Sequence, residues 1–130
     1  MDLEEATKMA KRHEATYNDD FEHYGDIYAD DAVVYRPVQG ATHDKATMAA
    51  VERRATAACP DRKTRVLRVF AAEGDWMGME ELWEGTNTGG DEIFGPPGTR
   101  VAVYAVSLCE VRGGKFSRVT AWTGRPPATS

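Results

Sequence analysis

At Lys63 the hydrophobic rhythm of this chain changes. Ahead of it, apolar residues recur every three or four positions. Beyond it they alternate, in long runs at 63–73, 76–87 and 100–112 and a last run at 115–123. Helical periodicity followed by strand periodicity predicts helices first and a set of neighbouring antiparallel strands afterwards, a segregated α+β fold with helices on one face of a curved sheet. Gly74-Asp75 and Gly113-Gly114 fall between runs and supply the positive-φ positions that hairpin turns require.

The helical half divides into three segments. Leu3, Ala6, Ala10, His13 and Tyr17 form the apolar stripe of an amphipathic first helix, with Glu4, Glu5, Lys8, Lys11 and Arg12 between them. After Asn18-Asp19-Asp20, the residues Phe21, Tyr24, Ile27 and Tyr28 predict the inner face of a short second helix ending before Asp30-Asp31. Ala32 to Arg36 reads as a strand, stopped by Pro37 and the turn through Gly40. Thr42 or Asp44 caps a third helix running to about Ala58, with Met48, Val51 and Ala55 on one side and Pro60 behind it.

At 130 residues, with 42% hydrophobic and 28% charged side chains, the chain fits one globular domain, placed at 1–124 with a loose tail at 125–130. Sixteen Lys and Arg against 21 Asp and Glu give a net charge of -5, and the cations are scattered. That argues against nucleic acid as a partner. No apolar run approaches a membrane span and the first residues carry no signal-peptide pattern, so a cytoplasmic location without membrane association is expected. Cys59 and Cys109 have no ligating neighbours at metal-binding spacing; buried thiols are expected, with no metal site.

Strand alternation then selects candidate site residues. In Met77-Gly78-Met79-Glu80-Glu81-Leu82-Trp83, the large apolar side chains at 77, 79 and 83 share a face, and Glu81 shares it with them unless a bulge turns Glu80 inward. An inward carboxylate must be hydrogen-bonded, paired with a cation or kept neutral, and such a group suits general acid/base chemistry. A salt bridge to Arg36 or Arg100 is its structural alternative. His13 and Tyr17, one helical turn apart, reach the same volume. Met77, Met79, Trp83, Tyr104, Thr120 and Trp122 are candidates for the lining of an apolar pocket, while His43 and Asp44 read as solvent-facing cap residues.

The order of elements, together with Tyr17-Asn18, Ile27 to Val33, Cys59-Pro60-Asp61, Gly85 to Gly89, Pro96 to Val101 and Val111 to Phe116, resembles the SnoaL-like polyketide cyclases of the nuclear-transport-factor-2-like superfamily, whose relatives include ketosteroid isomerases and limonene epoxide hydrolases. The resemblance implies a cone-shaped sheet enclosing a pocket on its concave face, against three N-terminal helices, and a homodimer. It places Arg36 where ketosteroid isomerases carry an aspartate base and His13 where they carry an oxyanion-binding tyrosine. Near Thr120, where such cyclases often carry an acid/base on the last strand, this chain has only that hydroxyl. The expected function is a cofactor-independent cyclase, isomerase or dehydratase acting on an apolar small molecule, with Glu81 as acid/base and His13, Tyr17 and Arg36 polarising the substrate. A non-catalytic binding or dimerisation module is the alternative. A limonene-type epoxide hydrolase is a further one, which would need a second inward carboxylate.

Overall fold

The computed structural model describes residues 1–89 and 91–126, with the side chain of Ile93 left aside. The expected tail lies, from residue 127 on, outside the described residues. Helix α1 spans Leu3–Asp19; Asp2 caps it by accepting from the Glu5 amide at 2.8 Å. A 3-10 helix follows at Phe21–Ile27. Its predicted inner face at 21, 24 and 27 has a strict spacing of three, which is the 3-10 repeat rather than the α one. Strand β1 occupies Tyr28–Arg36, so Tyr28 opens a strand instead of closing a helix. A short strand β2, Ala41–Asp44, pairs back on β1 after the Pro37 to Gly40 turn; alternation over only four residues gave no sign of it. Helix α2, Lys45–Ala58, is capped by Asp44, which accepts from the Thr47 amide at 2.8 Å.

The remaining strands are β3 (Lys63–Ala71), β4 (Trp76–Thr86), β5 (Arg100–Arg112) and β6 (Lys115–Gly124), with a single 3-10 turn at Glu92–Phe94 between β4 and β5. They form a curved six-stranded sheet in the order β2-β1-β6-β5-β4-β3. Every neighbouring pair is antiparallel except β1 and β6, which run parallel and place Val34 beside Val119. The expected α+β architecture, with three helical segments against the sheet, is present.

One face of the sheet and the helices share the core. Ala6, Met9, Ala10, His13 and Tyr17 of α1 are buried; Leu3, expected in that stripe, is exposed, and Met9 takes its place deeper in the helix. Phe116, Ile27, Met48 and Met77 are among the most completely buried side chains. Each contributes roughly 1.5–3 kcal/mol by leaving water. Helix α1 also closes the open edge of β3. Asn18 donates to the Thr64 carbonyl and accepts from the Thr64 amide, both at 2.8 Å, while Glu14 accepts from the Val66 amide at 2.6 Å. Side chains thus stand in for a missing strand, and the edge is blunted.

Candidate active site

Alternation along β4 points Met77, Met79, Glu81 and Trp83 to the inner face, and pairing carries that phase to the neighbouring strands. Glu81 lies opposite Ala105, Met79 opposite Ser107, and Ser107 opposite Ala121. The bulge that threatened this register sits on β3, between Val66 and Arg68, and leaves β4 undisturbed. Glu81 is therefore the inward carboxylate, and Glu80 reaches the Tyr104 hydroxyl on the outer face.

The inner face and the helices enclose a cavity of about 520 Å³, within the usual range for a small-molecule site. His13, Tyr17, Arg36, Met79, Glu81 and Trp83 all line it. Three expectations are corrected by the phase of the strands: Tyr104, Thr120 and Trp122 belong to the outer face, because their inward neighbours are Val103, Ala105, Val119, Ala121 and Thr123. Met77 faces inward but is packed in the core beyond the cavity. Cys59 and Cys109 are free and buried as expected, and the Cys109 thiol, pushed up by burial and by Glu81, lies in the cavity wall.

At the inner end, His13 Nε2 and Glu81 Oε2 are 2.9 Å apart. The Thr64 hydroxyl donates to the same Glu81 oxygen at 2.7 Å, and Thr64 is held in place by Asn18 at the end of α1. On its other side the imidazole meets a phenol: His13 Nδ1 lies 3.4 Å from the Tyr24 hydroxyl, which is 2.9 Å from that of Tyr28. A hydrogen-bonded chain thus runs Tyr28, Tyr24, His13, Glu81, Thr64. Burial alone would push His13 down, but the charge and hydrogen bond of Glu81, helped by Glu52 and Glu14, hold it above its ordinary 6.5. Burial pushes Glu81 up, and His13 and the Thr64 hydroxyl outweigh it, leaving the carboxyl below its ordinary 4.5. Both shifts favour the charged forms, an imidazolium beside a carboxylate. The inward carboxylate is accordingly satisfied by a cation, and that cation is His13 rather than Arg36 or Arg100.

Tyr17 accepts from the Trp83 indole at 2.7 Å. Burial and the nearby Glu52 carboxylate hold its phenol far above the ordinary value, so it enters any chemistry as a neutral donor. Tyr24 and Tyr28 are held up likewise, mainly by burial.

The outer end carries residues the sequence reading passed over. Glu52 of α2 faces the cavity, where its carboxylate bonds the Arg36 guanidinium at 3.2 Å. It stands one turn beyond Met48, so the helical stripe contained it. His43 also lines the cavity, correcting its reading as a solvent-facing cap residue; β2 pairing sets it beside the inward Val34. Arg36 points inward and Tyr35 outward, as alternation requires of adjacent residues.

The described residues show no helix long and apolar enough to cross a membrane. None of the curated protein sequences matches this one. Among solved structures, the fold is shared with AclR, a candidate hydroxylase from Streptomyces galilaeus, at 20% identity and a TM-score of 0.82, over 97% of this chain and 83% of that one. It is shared with IdmH, a candidate polyketide cyclase from Streptomyces antibioticus, at 19% identity and a TM-score of 0.76, over 91% of each chain. A candidate polyketide cyclase from Xanthomonas campestris pv. campestris is similar at 21% identity and a TM-score of 0.73, over 92% of this chain and 90% of that one. Residues 10–119 match the SnoaL-like domain family, from the second half of α1 to the middle of β6, and the chain belongs to that family.

Proposed function

We propose that this protein is a cofactor-independent enzyme that moves protons on a polyketide-type small molecule, as a cyclase, isomerase or dehydratase does. The observation that carries the reading is the His13–Glu81 pair, 2.9 Å apart in the wall of a mostly apolar cavity. Glu81 Oε2 takes both hydrogen bonds, from His13 and Thr64, leaving Oε1 to accept a proton from a carbon next to a carbonyl. The Tyr24 hydroxyl, held beside the imidazolium, then supplies a donor for the developing enolate oxygen. Neighbours named as a candidate hydroxylase and as candidate polyketide cyclases support the substrate class at the level of fold.

The experiment is deuterium exchange α to the carbonyl of a neutral aromatic ketone, followed by NMR. Wild type should accelerate exchange, and Glu81→Gln and His13→Gln should each lower the enzymatic rate by about 100-fold or more, the usual share of a positioned acid or base. Exchange no faster than in buffer, with all three proteins binding the ketone equally, would sink the catalytic reading.

That outcome would favour a non-catalytic carrier, and one observation already leans that way: the inward residue of β6 near the expected last-strand acid is Ala121, which has no proton to give. Glu52 supplies a second inward carboxylate of the kind an epoxide hydrolase needs, but Arg36 bonds Glu52 instead of bridging it to Glu81. We also infer a homodimer through the outer sheet face, where Val33, Tyr35, Phe70, Leu108 and Trp122 remain exposed.

A further inference from the structure

The outer end of the cavity holds a guanidinium with few partners. Among the described residues, Arg36 gives one of its five donors to Glu52, at 3.2 Å, and its Nε–H is enclosed with no acceptor. The side chain is 18% exposed and lines the cavity. Nearby on the same hairpin, His43 Nδ1 is also buried and unpartnered. Neither Arg36 Nε nor His43 Nδ1 offers surface to a ligand, so the acceptor this part of the cavity calls for is one for the terminal guanidinium nitrogens, of which Nη2 already bonds Glu52.

The charge of that acceptor follows from the neighbours. Arg36 is already matched by Glu52, Arg54 by Asp91 and His13 by Glu81. Each of these charged groups of the wall has its counter-charge. An anionic ligand would bring an excess negative charge into an apolar enclosure beside two carboxylates, at a desolvation cost the matched wall does not repay. A neutral carbonyl or hydroxyl oxygen needs only the donors. The rest of the wall is mostly apolar, with Val34, Met48, Val103 and Val119, while the Tyr17 phenol hydrogen-bonds toward Glu52, and Trp83 stacks with Phe94 at its side, their ring centres 6.2 Å apart.

We infer that Arg36, with His43 beside it, is a specificity site that seats a neutral oxygen of the substrate, so that the ligand is an uncharged, flat, oxygenated hydrocarbon anchored at Arg36 and reacting at the His13–Glu81 end. This rests on the proposed function for the reacting end, but the anchoring is tested without any turnover. The probes are naphthalene, its methyl ketone and its carboxylate, titrated by calorimetry into the full chain. Wild type should bind the ketone about tenfold more tightly than naphthalene, the worth of one well-made hydrogen bond, and the carboxylate no more tightly than the ketone. Arg36→Met/Glu52→Gln, which removes the donor and its counter-charge together, should erase the ketone's advantage while leaving naphthalene affinity within about twofold. Arg36→Lys, which keeps the charge without the planar fork, should lose most of that advantage and confirm that geometry matters. A carboxylate that binds tightest overturns the neutral class. An advantage that survives in the double variant overturns the role of Arg36, as does equal loss of all three probes. Failure of the exchange experiment with the ketone preference intact would remove the chemistry and leave the anchor standing.

Discussion

Glu81 and His13 each fix the other's protonation, and that makes their contribution to stability a function of pH. His13 is raised, so its share is complete below 6.5 and fades as pH climbs through the folded value. Glu81 is lowered, so its share is complete above 4.5 and fades as pH falls through its folded value. The difference in unfolding free energy between wild type and Glu81→Gln, measured by urea denaturation, should therefore be greatest between about 4.5 and 6.5 and shrink on both sides, because the window is set by the unfolded values. Its maximum is expected at about 1–3 kcal/mol, since His13 can shed its proton when the carboxylate is removed. A flat difference across pH would mean that the pair is not charged. The NMR titration of His13 should fall on the same substitution. Both members of this pair were legible in the sequence, one from strand alternation and one from a helical stripe. Their pairing was not, because Thr64 and Asn18, which fix the geometry, come from segments whose distance in space no periodicity encodes. Glu52 was missed for a different reason: a carboxylate one turn from Met48 looks like any helix-surface charge until something roofs it.

At the scale of elements, the loop between β4 and β5 depends on one amide. Asn87 is fully buried; its side chain donates to the Gly95 carbonyl at 2.7 Å and the Asp91 carbonyl at 3.2 Å, and accepts from the Gly89 amide at 3.1 Å. That loop carries Phe94 against Trp83 in the cavity wall. Asn87→Ala removes all three of these bonds and should cost about 2–3 kcal/mol by thermal denaturation, with weakened binding of apolar probes. Gly85 is a second control point, since a Cβ there would lie 2.8 Å from the Cys59 Cβ and 3.4 Å from the Arg62 Cα. Gly85→Ala should lower stability by about 1–3 kcal/mol by wedging β4 away from the end of α2. A melting temperature equal to wild type for either variant would contradict these assignments. The period change at Lys63 announced the four strands beyond it, and the Gly113-Gly114 turn, with φ of 59° and 75°, was visible as a two-residue hairpin. The phase of β5 and β6 was not visible, because both faces of these strands are apolar enough to pass for the core. Tyr104, Thr120 and Trp122 were misplaced for that reason, and only pairing to Glu81's strand resolves them.

For the whole molecule, the outer face of the sheet is the unsettled surface. Tyr35 is 44% exposed, Leu108 47% and Trp122 41%, on three strands that are neighbours in the sheet. A second copy is the proposed cover. Light scattering after size exclusion should give twice the protomer mass, and Leu108→Lys/Trp122→Glu should give a folded monomer that still binds apolar probes in the cavity. A wild-type monomer would remove the homodimer and leave the cavity unaffected.

The parallel pairing of β1 with β6 has a consequence in time as well as in space. Within the sheet β1 finds its neighbour in β6, so the β1–β2 hairpin, with Arg36 and His43 on it, has no sheet to join until residues 115–124 have been synthesised. A nascent chain stopped after β5 would expose the inner edge of β5 and lack the wall formed by Val119, Ala121 and Thr123. Ligand capture in this domain thus waits on β6 by topology: the binding cavity comes into being with the β5–β6 hairpin, and not before.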